Sequence, residues 1–316
     1  MTPAPYETTW RELFAQNPMT LEATRTVRRF LRAGTGGDNT GNSRYVNVAL
    51  FSVLAFLYIW MLILAVTTRE DMGRYITFGE AALLTLVIPG SLYGAIAVER
   101  EKQTFDALIM TRLTPAQIVC GKLYWRVGMV LGVMALFLPP IVLSHFAGAG
   151  HQNSDNLTIG QMLWMQVIVF AWSVLLGAMS IWVSAKSKKG ITALLTIVGI
   201  VVVFAVGVTA LIYLVGITIE LKNADTQPSM WAFGFLLSTN PLLLLVENPQ
   251  GVFHCCAPAI GNYWCNYWIY HGSVYWSVAL YALLSALFVR GAVKTLRGLE
   301  LPMVDNRKRG ISDGGR

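Results

Sequence analysis

The sequence predicts an all-α integral membrane protein with six transmembrane helices. Of its 316 residues, 55% are hydrophobic and only 13% are charged, whereas about 25% of the residues of a soluble protein are charged. The apolar residues are gathered in long runs, and about 20 apolar residues are enough to cross a bilayer as a helix. Both observations predict a chain without a continuous water-facing surface.

Six apolar runs qualify as spans. Most contain no charged residue, but the second contains Glu80 and the third contains Arg126, and the sixth is the shortest. The predicted spans are residues 46–66, 75–98, 123–147, 162–185, 191–219 and 273–289. They divide the chain into an arm (1–44), a six-span transmembrane domain (45–290) and a tail (291–316).

The basic residues predict the orientation. With the N-terminus in the cytoplasm, 21 of the 24 Lys and Arg residues fall on the cytoplasmic side, and only Arg69, Arg74 and Lys222 fall outside. Positive charge concentrates on the cytoplasmic side of membrane proteins. We therefore expect a multi-pass protein of the plasma (inner) membrane with both termini cytoplasmic. The net charge of +7 reflects this topology, and no nucleic-acid partner is expected.

The sequence of the N-terminal arm predicts an amphipathic helix over residues 20–32. Its apolar residues fall on the face opposite a row of arginines. An interfacial helix in the lipid headgroups fits this pattern, and a helix packed on the protein's own cytoplasmic surface is the alternative. The arginines of the row are Arg25, Arg28, Arg29 and Arg32.

The predicted outer loop 220–272 is long and partly apolar. Its two apolar runs are too short to cross a bilayer, and Asn240-Pro241 separates them. We expect a re-entrant helical hairpin here, which is tolerated at membrane depth only where protein covers it.

The polar segment 99–122, between the second and third spans, carries its own helix signals. Thr114 can accept a hydrogen bond from the Gln117 amide while the Gln117 side chain reaches back, and Pro115 stands at the first helical position. This is a capping box. It predicts that the helix of the third span begins here.

A separate short helix is predicted before that capping box, over residues 105–111. Thr104 can cap it, and Asp106 lies near its positive end. One side of this helix is apolar. The apolar residues are Phe105, Leu108 and Ile109.

The residues of this segment resemble a known family. They match the ERE–T–[DE]–L–P–GK pattern of ABC transporter permeases of the type-2 exporter class. The matching residues are Glu99-Arg100-Glu101, Thr104-Phe105-Asp106, Leu108, Thr114-Pro115 and Gly121-Lys122. Asn17-Pro18 before the basic helix resembles the start of that family's elbow helix. The stretch 254–271, which is aromatic and contains cysteine, departs from the pattern.

The resemblance implies that the region 99–111 is a coupling helix that docks on a separate ATP-binding subunit. Two such subunits would serve two permease chains, in a homodimer or a heterodimer. This chain has no G-x-x-x-x-G-K-[ST] loop, so it is not expected to be an enzyme or to bind a cofactor, and ATP and Mg²⁺ would be held by the partner. The implied docking residues are Glu99, Arg100, Glu101, Thr104, Phe105, Asp106, Leu108, Ile109, Thr114, Pro115 and Lys122.

Two further groups of residues are candidates for function. Glu80 either belongs to a substrate or gating path or extends to outer water or to Arg74, because a carboxylate within a span is costly. In the outer loop, a disulfide from Cys265 to Cys255 or Cys256 is favoured over a metal site, because the His and Cys spacing matches no familiar zinc pattern. We find no catalytic constellation.

The function predicted from the resemblance is ATP-driven export or extraction of a lipid, glycan, peptide or drug-like substrate. A membrane scaffold or mechanical transmitter is the alternative, in which the ATPase cycle drives an envelope partner through loop 220–272. An ion-coupled carrier would need more charge within the spans than Glu80 and Arg126 provide.

Overall fold

Helices are the regular elements of the part of the chain that the computed structural model describes, which comprises residues 41–67, 72–103, 113–148, 159–211, 214, 240 and 275–298. In chain order these helices are α1 (Gly41–Thr67), α2 (Met72–Leu92), α3 (Ala97–Glu101), α4 (Pro115–Gly148), α5 (Ile159–Lys186), α6 (Gly190–Val202) and α7 (Tyr275–Gly298). A π-helix, Val203–Val208, continues α6, and helix extends from there to Leu211.

Five helical segments are long and apolar enough to cross a membrane. They are Met72–Glu101, Pro115–Ala147, Met162–Lys186, Gly190–Leu211 and Tyr275–Gly298. The first predicted span, residues 46–66, falls within the 27-residue helix α1. The all-helical, multi-pass character is thus confirmed, and a sixth span stays a prediction.

The helix directions follow from paired contacts. Three aromatic pairs join α5 to α7, and their numbers rise together along both helices, so the two helices run parallel. The pairs are Trp164–Tyr275 at 5.0 Å, Trp172–Tyr281 at 5.5 Å and Trp182–Phe288 at 5.2 Å between ring centroids. Hydrogen bonds from α2 to α5 show the same parallel order. Helix α4 is antiparallel to α2, because Arg126 contacts Ser91 whereas the earlier Lys122 contacts the later Ala95.

Helix α5 lies at the centre of the bundle. In its most apolar stretch 72% of the residues are buried, against 17% in the corresponding stretch of α4 and 11% in that of α6. Its buried side chains, such as Ile168 and Leu176, form one cluster with Leu84 and Ile88 of α2. Large apolar side chains elsewhere face outward, for example Leu131 of α4 and Leu195 of α6, as expected for surfaces in contact with lipid or another subunit.

The capping box predicted at the start of α4 is present. The Thr114 amide donates to Gln117 Oε1 at 2.8 Å, and the Gln117 amide donates to Thr114 Oγ1 at 3.3 Å. Helix α4 begins at Pro115 as expected, because proline at the first helical position loses no intrahelical hydrogen bond.

Asn240, from the predicted outer loop, lies against the helical turn that follows the π-helix. Its Nδ2 donates to Thr209 Oγ1 at 2.7 Å, directly after the π-helix, and Asn240 is only 1% exposed. The predicted hairpin around it lies outside the described residues. So do the elbow helix of the arm and the short helix over 105–111.

Candidate functional site

The candidate site is centred on residues 91–103, which we name the junction, at the end of α2. Helix α2 contains Pro89 in its last turn, and proline lacks the amide that would continue the hydrogen-bond ladder. Helical geometry stops at Leu92, residues 93–96 form turns, and α3 then resumes. Gln103, with a φ of 57°, ends the segment. Such a break leaves backbone groups that need partners from other helices.

Two cations of α4 bind carbonyls at the break. The Lys122 Nζ donates to the Ala95 carbonyl, and Arg126 Nη2 donates to the Ser91 carbonyl at 2.9 Å. An arginine one turn into a span is expected to extend to the cytoplasmic lipid phosphates. The structure directs it to the backbone of α2 instead, because the interrupted helix offers a carbonyl within its reach.

A serine of α5 binds the amides on the other side of the break. The Ser184 hydroxyl accepts from the amides of Ile96 and Ala97, each at 3.0 Å. All three residues are fully buried. A buried amide without a partner is costly, so this one hydroxyl satisfies two backbone groups where α3 begins.

Glu99 connects the junction to α4. Its Oε2 lies 2.6 Å from Lys122 Nζ, and the side chains are 34% and 13% exposed. Lys122 therefore joins a carboxylate and a backbone carbonyl of the same segment. The partial burial strengthens this charge-assisted hydrogen bond over a fully exposed pair.

Arg100 connects the junction to the end of α5. Its Nη1 donates to the carbonyls of Ala185 at 3.0 Å and Ser187 at 3.3 Å. The last carbonyls of a helix have no intrahelical donor and carry partial negative charge. A guanidinium is therefore stabilised at this position.

Glu101 connects the junction to the start of α6. Its Oε2 accepts from the Gly190 amide at 2.9 Å, where the positive end of a helix favours a carboxylate. Gly190 permits a close approach, because a Cβ at that position would lie 2.8 Å from Val98 Cγ2. Three consecutive residues thus bind three different helices, and Arg100 and Glu101 do so at helix ends.

The structure describes six of the eleven residues in the predicted docking set. Glu99, Arg100, Glu101 and Lys122 come together at the junction, while Thr114 and Pro115 form the cap of α4. The remaining docking residues lie outside the described residues, namely Thr104, Phe105, Asp106, Leu108 and Ile109. The arginines Arg25, Arg28, Arg29 and Arg32 and the cysteines Cys255, Cys256 and Cys265 also lie outside them.

Glu80 lies in the interior, between α2 and α5. The expectation that it extends to outer water or to Arg74 is wrong, since Glu80 is 0% exposed and its Oε2 accepts from Gln166 Nε2 at 2.8 Å. Its face of α2 turns toward α5, where Gln166 supplies a donor within the apolar core. Its Oε1 has no partner among the described residues.

A second polar contact lies further along the same interface. Trp172 Nε1 donates to Thr85 Oγ1 at 2.9 Å, and the indole also contacts the rings of Phe204 and Tyr281. Trp172 thereby contacts α2, the π-helix and α7. Sequence reasoning missed Gln166, Trp172 and Ser184 as site residues, although a glutamine inside an apolar run was a visible signal for the first.

The described residues contain no group of three or more His, Cys, Asp or Glu side chains that could hold a metal ion. Comparison of the chain with protein-family models finds no match, and comparison with curated proteins finds none either. The resemblance to ABC permeases therefore depends on the residues of segment 99–122 and on the pattern of spans.

Proposed function

We propose that this chain is the permease subunit of an ATP-driven ABC transporter. Two permease chains would form the pathway, and two ATP-binding subunits would dock on the segment 99–122. The substrate class is a lipid, glycan, peptide or drug-like molecule that is exported or extracted from the membrane. The chain would lie in the plasma (inner) membrane with its termini in the cytoplasm.

One observation carries the proposal. Glu99, Arg100 and Glu101 link the junction to α4, α5 and α6. The junction overlaps the region 99–111, which the resemblance assigns to motor docking. A displacement applied there would reach three further spans through charge-assisted contacts rather than through one flexible loop.

The contacts also indicate how a docked motor would act. The carboxylates and the guanidinium bind groups that belong to helices, and a helix moves as a rigid unit. The break at residues 93–96 is the point at which α3 can change direction relative to α2. Motor closure would therefore tilt α3, while Lys122, Ala185 and Gly190 carry that tilt into the bundle.

The test is co-purification of the motor. The affinity-tagged chain is extracted from its native membrane in mild detergent, and associated proteins are identified by mass spectrometry. We expect a protein with a G-x-x-x-x-G-K-[ST] loop at about one copy per permease chain. Phe105→Asp and Leu108→Asp should remove it, because a charge in a small apolar contact is costly.

Leu157→Asp is the matched control, since it makes the same change in a segment predicted on the opposite side. It should leave the complex intact. Recovery of a well-expressed, folded chain without any ATP-binding protein, or survival of the complex in both docking variants, would contradict the proposal.

A further inference from the structure

The interface of α2 and α5 contains a buried acid without a counterion. Glu80 lies eight residues into α2, about 12 Å along the helix axis, and is 0% exposed. Gln166 is its one hydrogen-bonding partner among the described residues, and no Lys or Arg of those residues pairs with it. An ionised carboxylate in such surroundings is strongly disfavoured unless a cation or several donors stabilise it.

Two buried acceptors of the Glu80–Gln166 pair lack a donor. Glu80 Oε1 and Gln166 Oε1 both have no partner among the described residues, and Gln166 is 9% exposed. An added hydrogen on Glu80 Oε1 converts that acceptor into a donor for Gln166 Oε1.

The other ionisable groups of the neighbouring helices do not pair with Glu80. Among the described residues, none of them forms a hydrogen bond or an ion pair with Glu80. On the helices that pack against α2 these groups are Tyr58 of α1, then Cys120, Lys122, Tyr124, Arg126 and His145 of α4, and Lys186 of α5, with Arg74 and Tyr75 on α2 itself.

We propose that Glu80 holds a proton in this arrangement of the helices, so that Glu80 and Gln166 form a neutral carboxylic acid–amide pair and the α2–α5 interface is a proton-binding site. The proton comes from solvent and adds to one carboxylate oxygen, and no other bond changes. The proposal requires neither ATP nor a partner subunit and is independent of the function proposed above.

Proton binding then depends on how α2 and α5 are arranged. Separation of the helices would admit water, stabilise the carboxylate and release the proton. The packed arrangement binds one more proton than the separated one, so raising the pH disfavours packing. Any motion that opens this interface is therefore coupled to proton release.

Infrared spectroscopy of the full-length protein in phospholipid nanodiscs tests the proposal. At neutral pH the wild type should show the carbonyl band of a buried protonated carboxylic acid, and Glu80→Gln should lose it. Glu220→Gln, which removes a carboxyl outside the described residues, should keep it. Absence of the band in the wild type, or its persistence in Glu80→Gln, overturns the proposal.

A second variant keeps the test informative if Glu80→Gln does not fold. Gln166→Leu removes the amide that donates to the acid, so the band should remain and move to higher frequency. An unchanged band frequency would assign the signal to another carboxyl and overturn the proposal.

The melting temperature adds a third readout. It should fall with rising pH more steeply in the wild type than in Glu80→Gln, and equal slopes would contradict proton binding at Glu80.

Discussion

Lys122 Nζ lies 2.6 Å from Glu99 Oε2 and also donates to the carbonyl of Ala95. One ammonium group thus joins α4 to Glu99, within α3, and to Ala95, two residues before α3 begins. Segment 99–122, which the sequence singles out as a docking region for another protein, is also held together by its own two ends.

Removing this ammonium should destabilise the bundle. We expect Lys122→Met to lower the free energy of unfolding by about 1–3 kcal/mol, since a partly buried carboxylate and a carbonyl both lose their donor. Thermal unfolding in detergent measures the effect. Lys102→Ala, which removes an exposed lysine of the same segment, should change the melting temperature little. If both variants unfold alike, the contact contributes no specific stability.

Ser184→Ala should lower the free energy of unfolding by more than the loss of a single hydroxyl group suggests. The change leaves the buried amides of Ile96 and Ala97 without an acceptor, and each such group costs about 1–3 kcal/mol. Ser180→Ala is a matched control one turn earlier, because that hydroxyl is equally buried but bonds only the Leu176 carbonyl of its own helix. Comparable melting temperatures for the two variants would disprove the capping role of Ser184.

The close approach of α6 to the junction can be tested by a steric pair. Gly190→Ala would place a Cβ 2.8 Å from Val98 Cγ2, and crowding of this kind costs about 1–3 kcal/mol. We expect Gly190→Ala to lower the melting temperature and Val98→Ala, added to it, to restore part of the loss. Without such recovery the two residues are not in contact. Gly199→Ala, at a site with open space, is the control.

Trp172 and Thr85 should behave as a coupled pair. Thr85→Val leaves the buried indole N–H without its acceptor, at a cost of about 1–3 kcal/mol, and Trp172→Phe removes the donor together with part of the packing. Once Trp172 is phenylalanine, Thr85→Val should cost much less than in the wild type. Unfolding free energies of the two single variants and the double variant measure this coupling, and strict additivity would rule out the hydrogen bond as a stabilising contact.

The positions of the helices and the cap of α4 could be predicted from sequence because both depend on neighbouring residues. An apolar run of sufficient length is helical in a membrane whatever lies beside it, and the Thr114–Gln117 cap spans only four residues. The break after Leu92 was missed, although Pro89 and Gly94 signal it, because the apolar run continues through it.

The sequence by itself determined a chain of apolar helices and a charged segment with its own caps, since hydropathy and capping act locally. Only the tertiary structure decided the partners of that segment, because Arg100 and Glu101 bond to groups more than 80 residues away. The burial of Glu80 also depends on tertiary packing. Its own helix left open whether it reached water or the interior, and the packing of α5, which brings Gln166 from 86 residues further along the chain, buried it.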